Sequence, residues 1–138
     1  MKVSDLMTPN PVTVGPDQDL EAAIGLMVQH RIRALPVVES HELIGIITDR
    51  DVKMALGPDA RRLDLDLIDP RQLDGSVEWF MTASVETLAE TAAIAAAADQ
   101  MLNLRVGAMP VVDDQDELVG ILSLTDVVKA ALPLLAAQ

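Results

Sequence analysis

Two short motifs place a hydroxyl and a carboxylate at a spacing that suits two kinds of chemistry. They are "TDRD", residues 48–51, and "SLTD", residues 123–126. A Ser or Thr followed three residues later by an acid is the capping-box pattern that begins a helix. The same turn suits a ligand, because helix amides attract phosphate and an Asp can accept hydrogen bonds from both hydroxyls of a ribose. The motifs therefore predict either helix caps or nucleotide-binding turns.

Two details favour the ligand. Both motifs use Asp, which is shorter than the Glu or Gln usual in a capping box. Both also follow an apolar run, "GIIT" at 45–48 and "GILS" at 120–123, which places the polar groups at a strand-to-helix turn. We therefore interpret the two motifs first as binding turns.

The recurrence of this motif belongs to a longer duplication. With a shift of 74 residues, "PVV" at 36–38 recurs at 110–112. From Glu42 onward the shift is 75, because the second copy has one extra residue. An internal repeat of this kind indicates one structural unit made twice.

Each copy predicts the element order β-α-β-β-α. In the first copy, a β-rich run at 11–14 precedes a helix capped by Asp17. Two buried strands follow at 34–39 and 43–48, and a second helix runs from about Asp49 to Leu56, where Gly57 ends it. In the second copy, the first helix is predicted over 92–102.

The composition excludes several classes of partner. The chain of 138 residues has a net charge of −12, with one Trp, one Phe and no Tyr. Such a surface repels phosphate backbones and offers few rings for stacking bases, so we expect no nucleic-acid partner. No apolar run is long enough to span a membrane. The lack of Cys and of a signal-peptide pattern leads us to expect a cytoplasmic protein.

Catalysis has little support in the sequence. His30 and His41 lie in no metal-ligand spacing, and Ser40, Ser84 and Ser123 lie in no pattern of Ser, His and acid. Walker and GxGxxG loops are also absent from the sequence. We therefore expect no enzyme, no catalytic residue, no metal and no cofactor.

The order and spacing of five segments resemble two CBS domains. The segments are "MTPNPVTVGPDQDLEAA", "HRIRALPVVE" and "LIGIITDRDV", then "FMTASVETL" and "NLRVGAMPVVDDQDELVGILSLTDV". The chain thus resembles a stand-alone tandem CBS-domain pair (Bateman module), with repeat 1 at 1–57, a connector at 58–76 and repeat 2 at 77–138. The resemblance implies an α+β fold, in which two β-α-β-β-α CBS repeats pack with pseudo-two-fold symmetry.

The resemblance also implies two ligand clefts between the repeats, each lined by both. One cleft would hold phosphate and ribose at Ser123, Thr125 and Asp126, and adenine at Asn10, Val12, Ile32, Arg33 and Ala34. In the other cleft, Thr48, Arg50 and Asp51 would face Ser84, Glu86, Val106, Gly107 and Ala108. Glu86 departs from the first copy, which has Val12 at the equivalent place. A carboxylate there would either exclude a polyphosphate or contact an adenine amine.

By this resemblance, the chain is a regulatory module that senses an adenosine-containing small molecule. AMP, ADP or ATP is the expected ligand, and S-adenosylmethionine and NADH are further candidates. The competing interpretation is a scaffold with empty clefts that dimerises or docks on another protein. We also expect a homodimer, because the run "VVKAALPLLAA" at 127–137 holds more apolar residues than one body can cover. The regulated protein partner is not identified by the sequence.

Overall fold

The computed structural model describes residues 1–57, 65–69 and 75–137. The chain divides into two compact units. The central unit comprises Val12–Val85, and the terminal unit comprises Met1–Pro11 together with Glu86–Gln138. The units therefore differ from the sequence copies, because the first segment of each copy packs with the body of the other copy.

Helices and short strands alternate along the described ranges. The helices are α1 (Val3–Leu6), α2 (Leu20–His30), α3 (Asp49–Leu56), α4 (Val77–Phe80), α5 (Ile94–Leu104) and α6 (Leu124–Ala136). The strands are β1 (Thr8–Pro9), β2 (Ala34–Glu39), β3 (Glu42–Thr48), β4 (Thr82–Ala83), β5 (Leu88–Ala89), β6 (Ala108–Val112) and β7 (Leu118–Ser123). This mixture confirms the predicted α+β class.

Each unit is built on an antiparallel hairpin of two long strands. In the central unit, β2 pairs with β3, and the short β4 lies on the other side of β3. In the terminal unit, β6 pairs with β7, β1 lies beside β7, and β5 runs parallel to β6. The hairpin strands of the first copy were predicted at 34–39 and 43–48, and they lie there to within one residue. The predicted strand at 11–14 is only a parallel bridge between Val14 and Val37.

The two units have equivalent cores. The central core includes Leu20, Met27, Leu35, Ile47 and Val52, all completely or almost completely buried. The terminal core is formed by Val3, Leu88, Ala97, Met101, Met109, Val111 and Leu122. Burial of these large apolar side chains is the main favourable contribution to folding in each unit.

Short segments from the opposite copy complete both cores. We call residues 1–11 the terminal arm and residues 75–85 the central arm. Val3 and Val77 are both fully buried. The amide of Val3 donates to the carbonyl of Ala92 at 2.8 Å, and the amide of Val77 donates to the carbonyl of Gln18 at 2.8 Å. Each arm therefore supplies a core side chain and a backbone anchor to its unit.

The arms also explain the glycine that precedes each motif. A Cβ at Gly45 would lie 2.6 Å from the Thr82 carbonyl oxygen of the central arm. A Cβ at Gly120 would lie 3.0 Å from the Thr8 carbonyl oxygen of the terminal arm. Real Cβ atoms do not approach a backbone oxygen as closely as at Gly45, so β3 needs glycine where the central arm pairs with it.

The first helix of each copy begins later than predicted. Helix α2 is capped by Asp19, whose Oδ1 accepts a hydrogen bond from the Ala22 amide at 2.9 Å. The prediction that Asp17 caps this helix was therefore wrong. Asp17 lies instead inside a turn that the Gln18 amide closes onto the Gly15 carbonyl. Helix α5 begins at Ile94, two residues after the predicted start, and it has no side-chain cap. Helix α3 begins and ends as predicted, with Gly57 at a φ of 109° as its cap.

The predicted connector at 58–76 is described only in part, because residues 58–64 and 70–74 lie outside the described ranges. Residues Leu65–Leu67 form one 3₁₀ turn. Ile68 is buried in the central core. The described part of the connector therefore contributes the Ile68 side chain to the central core.

Candidate functional site

The "TDRD" motif lies where β3 ends and α3 begins. Thr48 Oγ1 accepts from the Asp51 amide at 3.3 Å, and Asp51 Oδ2 accepts from the Thr48 amide at 2.8 Å. The Thr48 hydroxyl also donates to Asp51 Oδ2 at 3.0 Å. The capping box is therefore formed. Both bonds that the Asp51 carboxylate accepts end on Oδ2, so Asp51 Oδ1 has no donor within the described part of the chain.

The beginning of β2 lies beside this motif. Ala34 pairs with Thr48 across the hairpin, and the Asp49 amide donates to the Arg33 carbonyl at 2.9 Å. Ile32 is half-buried and packs against the central core. We call this group of residues, at the start of β2 and the start of α3, the central cradle. It places backbone groups, an apolar wall and the Asp51 carboxylate within one small region.

Two further predicted residues belong to the central unit. Val12 is half-buried and packs against the same core as Ile32. Ser84 has a left-handed φ of 51°, and its amide donates to the Ile44 carbonyl at 3.2 Å, which fixes the end of the central arm beside β3.

Burial and local charge act in opposite directions on the central carboxylate. Desolvation of the half-buried side chain raises the pKa of Asp51 above its usual value, and it outweighs the hydrogen bonds from Thr48 and the charge of Arg50, which lower it. Arg33 and Arg50 are exposed. Lys53 Nζ lies 3.6 Å from Asp49 Oδ2, one turn along α3.

The "SLTD" motif forms the equivalent turn between β7 and α6. Ser123 Oγ accepts from the Asp126 amide at 3.1 Å, and Asp126 Oδ2 accepts from the Ser123 amide at 3.0 Å. Ala108 pairs with Ser123 across the hairpin, and the Leu124 amide donates to the Gly107 carbonyl at 2.9 Å. We call this region the terminal cradle.

Two further predicted residues, Asn10 and Glu86, belong to the terminal unit. The Asn10 amide donates to the Val119 carbonyl at 3.2 Å, and Asn10 has a φ of 49°, close to that of Ser84 in the other unit. Glu86 Oε2 accepts from Gln100 Nε2 at 3.3 Å. Val106 and Thr125 are exposed at the edge of the cradle.

The predicted site residues are thus distributed by unit. The central unit contains Val12, Ile32, Arg33, Ala34, Thr48, Arg50, Asp51 and Ser84. The terminal unit contains Asn10, Glu86, Val106, Gly107, Ala108, Ser123, Thr125 and Asp126. Each motif therefore lies beside the start of the first hairpin strand of its own copy. The two clefts lined by residues of both copies stay a prediction. Cross-strand pairing within the predicted hairpin was the signal that could have placed each motif beside that strand.

Gln100 was not among the predicted site residues, although it holds the Glu86 carboxylate. Its position in α5 gives no local motif, and only the fold brings it to Glu86. Within residues 1–57, 65–69 and 75–137, no three His, Cys, Asp or Glu side chains form a group that could hold a metal ion. The helices described in those ranges include none long and apolar enough to cross a membrane.

Curated proteins similar to this chain include both enzymes and small proteins. Inosine-5′-monophosphate dehydrogenase of Methanocaldococcus jannaschii is 33% identical over 129 residues, which cover 93% of this chain but 23% of the enzyme. The chain therefore spans about a quarter of that enzyme's length. CBS domain-containing protein YhcV of Bacillus subtilis is 32% identical over 90% of this chain and 81% of its own length.

Solved structures share the whole fold. The crystal structure of CBSX2 in complex with AMP has a TM-score of 0.77 and 29% identity, and it covers 96% of this chain and 97% of its own. The CBS domain pair of protein MJ0100, in complex with 5′-methylthioadenosine and S-adenosyl-L-methionine, has a TM-score of 0.79 and 27% identity over 94% of each chain. The family model described as CBS domain matches residues 3–58 and again residues 75–133. The chain therefore belongs to the CBS domain family and is a tandem CBS pair.

Proposed function

We propose that this chain is a regulatory module that binds adenosine-containing ligands, with AMP, ADP or ATP as the leading candidates. The observation that carries the proposal is the recurrence of one cradle in both units, with a Ser or Thr and an Asp at the start of a helix. Relatives that share the whole fold were solved with AMP, or with 5′-methylthioadenosine and S-adenosyl-L-methionine. These complexes support an adenosine ligand here.

The cradle offers a group for each part of such a ligand. The carboxylate of Asp51 or Asp126 can accept hydrogen bonds from ribose hydroxyls through the oxygen that the cap does not use. The positive end of the dipole at the start of α3 or α6 attracts phosphate, and the adjacent hydroxyl is a possible hydrogen-bond donor to it. Val12 and Ile32 are half-buried apolar side chains that we propose for contact with adenine. The helix cap and the binding turn are then two uses of the same residues.

A regulatory role without catalysis follows from this chemistry. The cradle holds polar groups suited to binding, and the enzymes similar to this chain extend far beyond the matched region. The proposal includes no cofactor beyond the sensed ligand and an unidentified protein as the regulated partner. It assigns the module to the cytoplasm, in agreement with the absence of cysteine.

A thermal-denaturation panel tests the proposal on the full chain. The ligands are AMP, ADP, ATP, S-adenosylmethionine and NADH. A ligand present at 100 times its Kd raises the free energy of unfolding by about 2.7 kcal/mol, so at least one should raise the Tm measurably. An unchanged Tm with all five ligands at millimolar concentration would contradict adenosine sensing and favour the ligand-free scaffold.

Self-association is a second function that a specific observation favours. Helix α6 exposes Val128, Leu132, Leu134 and Leu135, which are 54% to 71% accessible. Contiguous exposed apolar side chains usually mark an interface, and a two-fold contact would bury the same face on both partners. We propose a homodimer through α6. Sedimentation of the full chain at micromolar concentration should show a dimer, and a Leu132→Glu variant should sediment as a monomer; a monomeric wild-type chain would refute it.

A further inference from the structure

We propose that Met7 and Met81 are oxidation sites, at which a hydroperoxide converts the thioether to a sulfoxide and loosens the terminal and central arms. The observation that carries the inference is the position of each sulfur atom, which lies against a glycine of the neighbouring strand. The inference goes beyond adenosine binding and does not depend on it.

The exposure of the Met side chains separates these two from the other five. Met1 and Met54 are 75% and 63% exposed. Three further Met residues are buried, with 1% exposure or less: Met27, Met101 and Met109. Met7 and Met81 are partly exposed, and they also pack against the terminal and central cores. Because the chain has no Cys, these are the sulfur atoms that an oxidant can reach and that also contribute to a core.

Each of the two side chains fills the space beside a strand glycine. A Cβ at Gly120 would lie 2.5 Å from the sulfur of Met7, and a Cβ at Gly45 would lie 2.9 Å from the sulfur of Met81. Each sulfur therefore takes the space that a side chain would need at any other residue type. The contact joins the terminal arm to β7 and the central arm to β3, next to the strand pairing of β1 and β4.

Each Met also lies between the two anchors of its arm. The amide of Met7 donates to the carbonyl of Val3 at 2.9 Å, and the amide of Met81 donates to the carbonyl of Val77 at 2.9 Å. The residues that follow form β1 and β4, which pair with the long strands. A displaced Met side chain therefore disturbs both the buried Val and the strand pairing of the arm.

The modification is a two-electron oxidation by a hydroperoxide, such as hydrogen peroxide. A lone pair of the thioether sulfur attacks one oxygen of the peroxide. The S–O bond forms, the O–O bond breaks, and the second oxygen leaves with the proton of the first as water. The sulfur is oxidised and the peroxide is reduced, so that the products are methionine sulfoxide and water.

The sulfoxide does not suit the place of the thioether. Oxidation turns an apolar, flexible side chain into a polar, chiral one. Its oxygen needs a hydrogen-bond donor or water, and burial of such a group without a partner is unfavourable. The modified side chain therefore leaves the glycine, and the arm loses its contact with the strand. Methionine sulfoxide reductases, one for each sulfoxide epimer, restore the thioether, so the change is reversible.

Treatment of the folded full chain with hydrogen peroxide tests the inference, with peptide mass spectrometry and thermal unfolding as the two measurements. Met1 and Met54 should be oxidised first, Met7 and Met81 next, and the three buried Met residues last. The Tm should fall by about 3 °C or more as Met7 and Met81 are oxidised. Incubation with both reductases should restore it. A Tm that falls with the oxidation of Met54, or Met7 and Met81 side chains that stay reduced in the folded chain, would overturn the inference.

Two sets of variants separate oxidation at the arms from oxidation elsewhere. Met7→Leu/Met81→Leu keeps the apolar volume without a sulfur, so its Tm should not change on the same treatment. Met54→Leu is the matched control and should lose as much Tm as the wild-type chain does. Without any oxidant, Met7→Gln and Met81→Gln place a polar side chain beside the glycine and should each lower the Tm, whereas Met54→Gln should not.

Either set alone can refute the inference. It is wrong if peroxide lowers the Tm of Met7→Leu/Met81→Leu as much as that of the wild-type chain. It is also wrong if Met7→Gln and Met81→Gln are as stable as Met54→Gln, and this comparison remains decisive if the Leu double variant does not fold.

Discussion

The central and terminal cradles share their backbone and differ in the side chains around it. In both cradles, a hydroxyl and an Asp form a capping box at the end of a strand. The first amide of the helix donates a hydrogen bond to the carbonyl of the residue that precedes the neighbouring strand. The first copy has Arg33 and Arg50 at these turns, whereas the second copy has Gly107 and Thr125 at the equivalent positions. The bonds that fold the turn involve backbone and capping atoms, so the surrounding residues could diverge without loss of the fold. The comparison teaches that a duplicated scaffold need not imply duplicated specificity.

The arms are predicted to be the most sensitive part of both units. Val3→Ala should destabilise the terminal unit and Val77→Ala the central unit by about 2 to 3 kcal/mol each, because each change leaves a cavity in a fully buried core. Denaturant unfolding followed by circular dichroism measures both effects. Ser4→Ala, at an exposed neighbouring position of α1, is the control and should change the stability little. Equal stability of Val3→Ala and Ser4→Ala would show that the terminal arm is not part of the core.

Gly45, the glycine of β3 that lies against the central arm, gives a second test of that arm. Gly45→Ala should cost about 1 to 3 kcal/mol, because its Cβ would lie 2.6 Å from the Thr82 carbonyl oxygen. Gly25→Ala is the matched control in the same unit, since its Cβ would meet nothing within 4 Å. In a helix interior that change should stabilise by up to about 1 kcal/mol. Changes of the same sign in the two variants would contradict the close approach of the arm.

The capping box gives a smaller expected effect. Thr48→Ala should cost about 1 kcal/mol, because the Asp51 amide loses its acceptor. Thr48→Ser retains the hydroxyl and should cost less. Thermal unfolding measures the difference, and a Thr48→Ser variant as unstable as Thr48→Ala would show that the methyl group, and not the cap, matters.

The pH dependence of binding gives the smallest expected effect. Burial raises the pKa of Asp51, so the carboxylate becomes protonated at a higher pH in the folded chain than in the unfolded chain. Above that pKa, the ionised Asp51 side chain lowers the free energy of unfolding. This destabilisation disappears as the pH falls through the pKa. The contribution of Asp51 to AMP binding should therefore be full at neutral pH and lost on acidification.

Calorimetric titrations with AMP between neutral and acidic pH measure this contribution. Asp51→Asn is the reference, because protonation of the AMP phosphate affects both proteins equally. The ratio of the wild-type affinity to the variant affinity should fall as the pH is lowered. A ratio that stays constant, or that grows on acidification, would contradict the role of the carboxylate.

Local sequence patterns predicted the elements whose determinants are local. The hairpin strands follow from β-branched runs around a polar turn, and the end of α3 follows from Gly57. The predicted starts of α2 and α5 were wrong because distant residues set them. The Leu20 amide donates to the Gly75 carbonyl, and the Ile94 amide donates to the Met1 carbonyl, so the arms hold the segment before each helix extended. No pattern near residues 17 or 92 contains that information.

The same reason limits the prediction of the site. The residue types were recognisable from the recurring motif, and the capping box was predicted from its spacing. The distribution of the site residues between the two units was not predicted, because Asn10 and Ser84 belong to arms that pack with the other copy. The place of Glu86 beside β6 depends on the parallel register of β5, and a strand of two residues leaves no recognisable pattern in the sequence.

The central claim is that Asp51 binds an adenosine ligand in addition to capping a helix. The most direct measurement is calorimetric titration of AMP into the wild-type chain, Asp51→Ala and Asp5→Ala. Asp5 has the same capping role in α1, where its Oδ2 accepts from the Lys2 amide at 2.7 Å, and it is exposed and outside both cradles. The account predicts that Asp51→Ala loses AMP binding while Asp5→Ala retains the wild-type Kd. An Asp51→Ala variant that folds and binds AMP with unchanged affinity would contradict it.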